Sequence, residues 1–494
     1  MRKRFEVQLE LGQPAIEKIV FPARSRDELP PLLKGLQWIF KTPELNEAIF
    51  ELLENAVVGS KQSTTGRPGM DLWHILVLGV VRLGLNCDYD RLEHIANYDT
   101  LVRQIMGLPA SDWQAARFHH KTISENVCHL DEELLEEINA LVARHGLEHL
   151  KKNGKDNPAG RLEVKADSYV LETNVHYPTD LNLLWDAARK SIEILSSLYE
   201  QLGLQGWRKK AYWKRQLKKA MRACGKINRS GGANKAERLE TAVKDYLEAA
   251  YALEAKIYEC IETLRTRELS LSITESLRLE NAGYFHDHLI GHIDLVTRRL
   301  LKGETIGHEE KVFSLFEPHT DLIKKGKSRP AVEFGRRLLV STQQDGLILD
   351  YKVMGSGSET AEVVPLADRL LNRYGEENLK SISFDKGFSS QEDRELLELY
   401  IPEVILPKKG HRSQADRQRE SAPIWRKRKD AHSAVESNIN CLEHHGLDRC
   451  PDKGFAGYKR YVGLGVLAYN LHKIGARILR NQAESDPPQS KKAA

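Results

Sequence analysis

Three acidic residues have the type and setting to do chemistry together. Asp167 closes the alternating stretch Leu162-Glu-Val-Lys-Ala-Asp-Ser, Asp385 closes Leu379-Lys-Ser-Ile-Ser-Phe-Asp, and Glu436 lies in the helix-compatible segment Ala431 to Asn440. Alternation of apolar and polar side chains predicts a strand in the first stretch, and the second reads as another short strand, each delivering an aspartate at its C-terminal end. Carboxylates are ionised at neutral pH and are hard oxygen ligands, suited to Mg²⁺, which keeps part of its water shell and takes substrate oxygens in its remaining positions. Two such ions about 3.5–4 Å apart can activate an attacking oxygen and stabilise a leaving one, the requirement of phosphodiester chemistry. Without a cation the acids would repel one another, so a true site should gain stability on binding metal. Plain structural roles stay open for each: Asp167 or Asp385 as a turn cap, Glu436 as a solvated helix residue.

A nucleic-acid substrate asks for cations, and Lys plus Arg outnumber Asp plus Glu only 74 to 70, a net of +4. Contact must therefore come from local concentration. From Trp207, the residues Arg208, Lys209, Lys210, Lys214, Arg215, Lys218, Lys219, Arg222, Lys226 and Arg229 occur without one acid, interleaved with Trp207, Tyr212 and Trp213. Cations neutralise phosphates and aromatic rings stack on bases, which predicts DNA contact; the alternative is a solvated helix face. A second basic run, Lys408, Lys409 and Arg412 followed by Arg417, Arg419 and Arg426 through Lys429, directly precedes Glu436, and Lys386 follows Asp385. These cations are expected to hold the DNA backbone near the acids.

The elements that must position these residues divide the 494-residue chain into about three units at roughly 150 residues each. Residues 1–150 read as a compact helical DNA-binding domain: Leu32, Leu33, Leu36, Ile39 and Phe40 recur at helical steps. There the turn Thr65-Gly-Arg-Pro-Gly-Met-Asp-Leu-Trp, with Asp71 as N-cap, feeds a further helix and raises a helix-turn-helix reading. Lys151 to Gly160 is a linker. Residues 160–182 and 311–482 read as a mixed α/β catalytic domain. Its further expected elements are strands at Lys311 to Phe316, Glu333 to Ser341, Leu347 to Met354 and Glu403 to Leu406, a turn at Gln344-Asp-Gly, and helices Glu359 to Tyr374, Gln391 to Tyr400 and Val462 to Leu479. Between its two parts, residues 183–310 form a helical insertion carrying the basic segment 206–229. Heptad-like runs, Leu184, Ala188, Ser191, Leu195, Leu198 and Leu202, then Leu239, Val243, Tyr246, Ala250, Leu253, Ile257, Cys260 and Leu264, predict two helices facing each other as a hairpin, the second roughly 39 Å long at about 1.5 Å per residue. Residues 483–494 read as a disordered tail.

The wording around the acids resembles a known family. Asp167-Ser-Tyr-Val-Leu-Glu-Thr-Asn-Val-His-Tyr-Pro-Thr-Asp, Ser383-Phe-Asp-Lys-Gly-Phe, and His432-Ser-Ala-Val-Glu-Ser-Asn-Ile-Asn with Gly446-Leu-Asp-Arg-Cys are similar to the three catalytic blocks of DDE insertion-sequence transposases, closest to the ISNCY type. Thr65 through Leu108 is similar to the helical N-terminal domain of such enzymes, and Phe316-Glu-Pro-His-Thr-Asp-Leu-Ile-Lys-Lys-Gly-Lys to their strand segment after the first Asp. The resemblance implies an RNase H-like core, with Asp167, Asp385 and Glu436 holding two Mg²⁺ ions, Mn²⁺ being the alternative. It implies binding to terminal inverted repeats, strand cleavage and strand transfer to target DNA, and a homodimer or larger assembly, since two ends must be joined. The sequence departs from the family where Lys or Arg often stands seven residues after the Glu: here it is Glu443, with Arg449 or Lys453 as substitutes. Asn174, Tyr177, Pro178, Thr179 and Asp180 are expected to shape the loop beside the metals. Two readings compete with this one: a DNA end-binding or bridging regulator without catalysis, and an RNase H-like nuclease that cuts without joining.

Other chemistry finds less support. His286, His288 and His292, and Cys441, His444, His445 and Cys450, raise a zinc reading, but neither set has the paired spacing of structural zinc, and ordinary core or surface roles outweigh it. There is no complete Walker-type loop, Gly-x-x-x-x-Gly-Lys-Ser/Thr, so no nucleotide cofactor is expected. Six scattered cysteines make no disulfide framework, and neither a secretory signal nor a span for a bilayer is read. A cytoplasmic protein, on the nucleoid when acting, is the expectation.

Overall fold

The structure, a computed structural model, describes residues 3–5, 14–58, 69–109, 117–153, 161–266, 271–324 and 331–485. It is a mixed α/β fold of two compact units, one of residues 1–174 and 323–494, the other of residues 175–322. The larger unit holds the sheet, whose strands in chain order are β1 Leu162–Thr173, β2 Asp321–Lys324, β3 Val332–Thr342, β4 Ile348–Val353, β5 Leu379–Phe384, β6 Glu403–Ile405 and β7 Arg449–Cys450. β1 is central. On one edge it pairs antiparallel with β3, which pairs antiparallel with β4; on the other it pairs parallel with β5, which pairs parallel with β6. β7 pairs parallel with the last residues of β1, beyond the end of β5, and β2 borders β3. The expected turn between β3 and β4 is present, with Gly346 at φ +82° closing it as its N–H donates to the Gln343 carbonyl. Its positive φ is why glycine stands there.

The sheet is held by charge as well as by apolar packing. Asp350 of β4 is buried and takes both Arg369 (2.8 Å) and Arg373 (2.5 Å) from the helix Val363–Tyr374. Arg428 reaches from the helix Pro423–His432 to Glu163 of β1 and Glu403 of β6, so one guanidinium bridges two strands.

The segment before β1 is helical as expected, but it has no core of its own. Leu32, Leu36, Trp73, Val80 and Leu135 belong to one hydrophobic cluster with Ala166, Val340, Ile382 and Leu467. The helix Leu72–Gly84 is buried along its whole length, so it is not a DNA-reading helix. Its sequence is apolar all round, the pattern of an interior helix. Asp71 precedes it without a side-chain capping bond, and Thr65 to Pro68 of the expected turn lie outside the described residues. Its two polar members find partners inside, although Arg82 Nε stays unbonded among the described residues: His74 Nε2 lies 2.8 Å from the Met106 carbonyl, and Arg82 Nη2 pairs with Asp452 at 2.5 Å.

The first and last long helices of this unit, Leu29–Lys41 and Phe455–Ser485, touch through small residues. A Cβ on Gly475 would lie 1.9 Å from the Pro31 carbonyl oxygen, and one on Gly35 would lie 2.3 Å from that of Leu471. The last helix runs to Ser485, past the start of the expected tail at 483, and residues 486–494 lie outside the described residues. So does the linker from 154 to 160, Lys151 to Asn153 being helical.

The smaller unit is the insertion, somewhat wider than residues 183–310. It contains the helices Asp180–Gln201, Lys210–Arg229, Lys235–Thr266 and Ile273–Val296. The heptad positions are buried, Ser191 included, except Leu202 and Leu239, which are half-buried, and the two patterned helices do not form a simple hairpin. Asp180–Gln201 packs chiefly on Ile273–Val296, and Lys235–Thr266 chiefly on Lys210–Arg229. At 32 residues the longest helix spans about 48 Å. The expected strand from Lys311 to Phe316 is absent: that stretch is irregular, and Leu315 and Val312 pack into the insertion's core, with no strand there to pair with. No helix among the described residues is long and apolar enough to cross a membrane.

The glycine contact between the two helices is testable. Gly475→Ala is expected to lower stability by about 3 kcal/mol, because backbone must move to admit the methyl group. Gly225→Ala, in the insertion with nothing within 4 Å of the added Cβ, is expected to be neutral or stabilising by up to about 1 kcal/mol. Urea unfolding of both variants checks the difference.

Candidate functional site

The strand register sets the two aspartates side by side. β1 and β5 run parallel with Val164 opposite Ile382, Lys165 opposite Ser383 and Ala166 opposite Phe384. One residue on, β5 ends and β1 does not, so Asp167 and Asp385 stand at the fork where the two strands part. Adjacent strands lie about 4.8 Å apart, which sets the scale of the separation between these backbones. Asp167 is thus in the middle of β1 and not at its end: the strand continues to Thr173 because β3 pairs it on one side and β7 resumes the pairing on the other. Asp385 begins a single helical turn, Lys386–Phe388, that the buried Phe388 ring anchors against Phe384 at 5.4 Å. That anchoring leaves Asp385 exposed but fixed.

Glu436 stands in the first turn of the helix Ala434–Leu442, where a negative charge is favoured by the helix dipole. Val435, Asn438, Ile439 and Leu442 bury the other face against the sheet. Asn438 locks the register, donating to Thr342 Oγ1 (3.3 Å) while the Tyr469 hydroxyl donates to its Oδ1 (2.8 Å). The basic stretch before this helix is not a loop but two helices, Gln414–Ser421 and Pro423–His432. Ser413 and Pro423 start them, one by a capping box and one by its fixed φ. His432, at the end of the second, ties the site together: its Nδ1 lies 3.0 Å from Ser383 Oγ, which in turn donates to the Val164 carbonyl (3.3 Å). One serine therefore links β1, β5 and the approach to Glu436.

Electrostatics brings the three acids into one account. Burial pushes the Asp167 carboxyl up to about 7, and the charges of Asp385, Glu359 and Glu436 push the same way, against the Ser168 N–H that donates to its Oδ1 at 2.8 Å. Among the described residues, no Lys or Arg lies within ion-pair distance of Asp167, Asp385 or Glu436. An uncompensated set of carboxylates around a half-buried member lacks a cation. Carboxylates are the donor type that suits Mg²⁺ or Mn²⁺, but no three of Asp167, Asp385, Glu359 and Glu436 bring their oxygens within 4.8 Å of one another.

Glu359 is not legible in the sequence as a site residue. It opens the short turn Glu359–Glu362 before the helix Val363–Tyr374, accepts from the Ser168 hydroxyl at 2.5 Å and lies 3.7 Å from Arg337 Nε. It also sits over Gly387, where a Cβ would come 2.4 Å from its Oε2. The residue beside one aspartate and the residue two after the other both touch it, so Glu359 is the fourth carboxylate at the fork. The only sequence signal is an acid after the turn Gly355-Ser-Gly-Ser, between a strand and a helix.

The cations divide into spent and free. Lys214 pairs with Glu193 (2.9 Å), Lys210 reaches Glu200 (4.0 Å), Lys218 lies over the Trp185 ring and Arg412 pairs with Glu420 (3.2 Å). Arg208, Lys209, Arg215, Lys219, Lys386 and Lys409 are exposed, and Lys408 is half-buried. The basic segment is itself the helix Lys210–Arg229, held by Leu217 and Cys224. Of its aromatics, Trp207 is buried under Lys256 and Trp213 is half-buried against the insertion core, so neither can stack on a base; Tyr212 is exposed. Arg449, a substitute for the missing cation after Glu436, is taken up by Glu172, whereas Lys453 is exposed. Thr179 caps the helix Asp180–Gln201 and Asp180 pairs with Arg299, so both serve the insertion's own structure. The two zinc sets do not gather three donor atoms: His286 Nε2 meets Glu254 (2.7 Å), His292 Nδ1 meets the His288 carbonyl (2.7 Å), and Cys450 is buried in the core. None of the six cysteines is in a disulfide.

Comparison with protein-family models, with curated proteins and with solved structures finds no match.

The repulsion at Asp167 has a measurable sign. Its carboxyl is held protonated in the folded protein up to about pH 7 but ionises in the unfolded chain at its ordinary value. The folded state then binds the extra proton between those two values, and stability falls as pH rises through that window. Asp167→Asn is therefore expected to raise the melting temperature of the metal-free protein by a few degrees at pH 8 and by less at pH 5. Thermal melts in chelator at the two pH values check this, and an equal or negative shift at pH 8 contradicts it.

Proposed function

We propose that the protein is a DDE-type transposase of the ISNCY kind, which binds the terminal inverted repeats of its mobile element, cuts them and joins the freed ends to target DNA. The observation that carries the reading is the fork: Asp167 beside Asp385, with Glu436 in the same field and no protein cation among the described residues to balance them. Two further features support it. The sheet order β4, β3, β1, β5, β6, antiparallel on one side of β1 and parallel on the other, is what an RNase H-like core asks for. The three sequence blocks that resemble the transposase motifs are the segments that supply the three acids.

Asp167, Asp385 and Glu436 would hold the Mg²⁺ ions, which supply a Lewis acid for the phosphoryl group and a more acidic bound nucleophile. Glu359 keeps Ser168, and through its N–H the Asp167 carboxylate, in place. The exposed cations before Glu436, Arg417, Arg426, Lys427 and Lys429, hold backbone phosphates, as do those of the helix Lys210–Arg229. Both strand cleavage by water and joining by a DNA 3′-hydroxyl are in-line displacements at phosphorus, so one set of residues serves both and no covalent protein–DNA intermediate is required. Joining two ends calls for a dimer or larger assembly on double-stranded DNA.

Asp167→Asn, Asp385→Asn and Glu436→Gln are each expected to lower Mg²⁺-dependent cleavage of DNA carrying the element's ends by about a hundredfold or more, with end binding by gel shift retained. Glu359→Gln should cost about 10- to 100-fold, the range for a residue that orients a metal ligand. Undiminished cutting by the three variants would remove the assignment; cutting without joining would point to a nuclease, and end binding without cutting by the unmodified protein to a bridging regulator.

The cations have a separate signature. Arg215→Ala, Lys219→Ala and Arg222→Ala should each reduce the slope of log affinity against log salt by about 0.9 for duplex DNA, uniformly across sequences. An unchanged slope in all three would take the insertion helix out of the DNA interface.

A further inference from the structure

A second cluster of ligating side chains lies in the helical part of the larger unit, and its chemistry differs from that of the fork. Glu93 projects from the helix Tyr89–Tyr98, and His119 and His120 stand at the start of the helix His120–Val127. One donor atom from each of the three lies within 4.8 Å of the other two. Glu93 Oε2 is 3.0 Å from His120 Nδ1, and Asp90 Oδ1, one turn earlier on the same helix, is 3.5 Å from that nitrogen. Donor atoms around a tetrahedral ion with bonds of about 2.0–2.1 Å stand about 3.3 Å apart, so these separations are those of neighbouring ligands.

The cluster is held by the backbone and does not depend on attraction between imidazole and carboxylate. Asn97 donates from Nδ2 to the Phe118 carbonyl and accepts the Phe118 N–H at Oδ1, both at 2.9 Å, which pins the chain next to His119. The His120 N–H donates to Glu93 Oε2 at 2.7 Å. The two imidazole rings lie 4.2 Å apart between centroids and are tilted by 33°. His119 Nδ1 accepts the Lys121 N–H at 3.3 Å, which leaves its Nε2 as the donor to a ligand. Two imidazoles this close can be served by a single ion at once.

We propose that Glu93, His119 and His120, with Asp90 as a fourth donor, form a binding site for a zinc-type transition metal ion that ties the helix Tyr89–Tyr98 to the helix His120–Val127. Imidazole nitrogens select Zn²⁺, Co²⁺ or Ni²⁺ over Mg²⁺, which the all-oxygen fork prefers, so the two sites take different ions. The proposal is independent of the transposase reading. Sequence gives little sign of it, because the adjacent histidines lie well down the chain from the glutamate, on another helix, and no ligand spacing repeats.

Calorimetric titration of the full-length protein with Zn²⁺, and titration with Co²⁺ followed by its visible absorption, test the site. The expected result is one ion per chain in a nitrogen-containing, four-coordinate environment, uncontested by millimolar Mg²⁺, with a raised melting temperature when Zn²⁺ is bound. His119→Ala and Asp90→Asn change exposed side chains and leave the fold intact by circular dichroism; each should weaken Zn²⁺ binding by about tenfold or more and remove the thermal shift. Absence of Zn²⁺ binding by the unmodified protein, or unchanged affinity in the His119→Ala, His120→Ala double variant, would overturn the proposal. The catalytic-acid variant Asp385→Asn should bind Zn²⁺ as the unmodified protein does, and loss of binding there would equally count against it.

Discussion

Like charges forced together at the fork between β1 and β5 are the constraint on which the larger unit turns. Three of the four carboxylates there have no basic partner among the described residues, and one is half-buried, so the bare site costs folding free energy. Something must hold it closed. The holding is done by groups without charge: the Ser383 hydroxyl between His432 and Val164, the Asn438 amide between Thr342 and Tyr469, and the Phe388 ring under the turn after Asp385. Neutral hydrogen bonds and packing fix the acids without neutralising them. The compensating charge is then left to come from outside the chain, as the proposed binding of divalent ions would supply it.

The same division shows in the cations. Where a guanidinium is needed for architecture it is buried or paired, as with Arg428 across β1 and β6, or Arg369 and Arg373 on Asp350. Those left over gather on the two short helices before Glu436 and on one face of the helix Lys210–Arg229. A formal charge of only +4 thus conceals two surfaces with a strong excess of positive charge, and these give the proposed DNA contacts their salt dependence.

Much of this is readable from sequence, and the failures have physical causes. Alternation locates β1, short apolar runs bounded by turn residues locate β3, β4, β5 and β6, and heptad spacing locates the buried face of the long insertion helix, because burial leaves its mark directly on the local pattern. The mid-strand place of Asp167 is not readable, since where a strand ends depends on its partners, and β7 arrives from near the end of the chain to extend it. Trp207 reads as a stacking platform because composition cannot say which way a ring faces. Glu359 carries no local mark at all: it becomes a site residue only through Ser168 and Gly387, far away along the chain. The helices before β1 read as a domain because helices are local, whereas a shared core is a property of contacts between distant segments.

The contact between Gly35 and the last long helix also sets an order of events. A chain leaving the ribosome presents its N-terminal helices first, yet the surface they are shaped to meet is made only when the segment after Phe455 emerges. Until then Leu29–Lys41 lacks the helix it packs on most, and the helix bearing Glu436 lacks the Tyr469 hydroxyl that fixes Asn438. The N-terminal helices and the Glu436 helix are therefore completed by one and the same late segment, which couples the two ends of the larger unit in a single folding event.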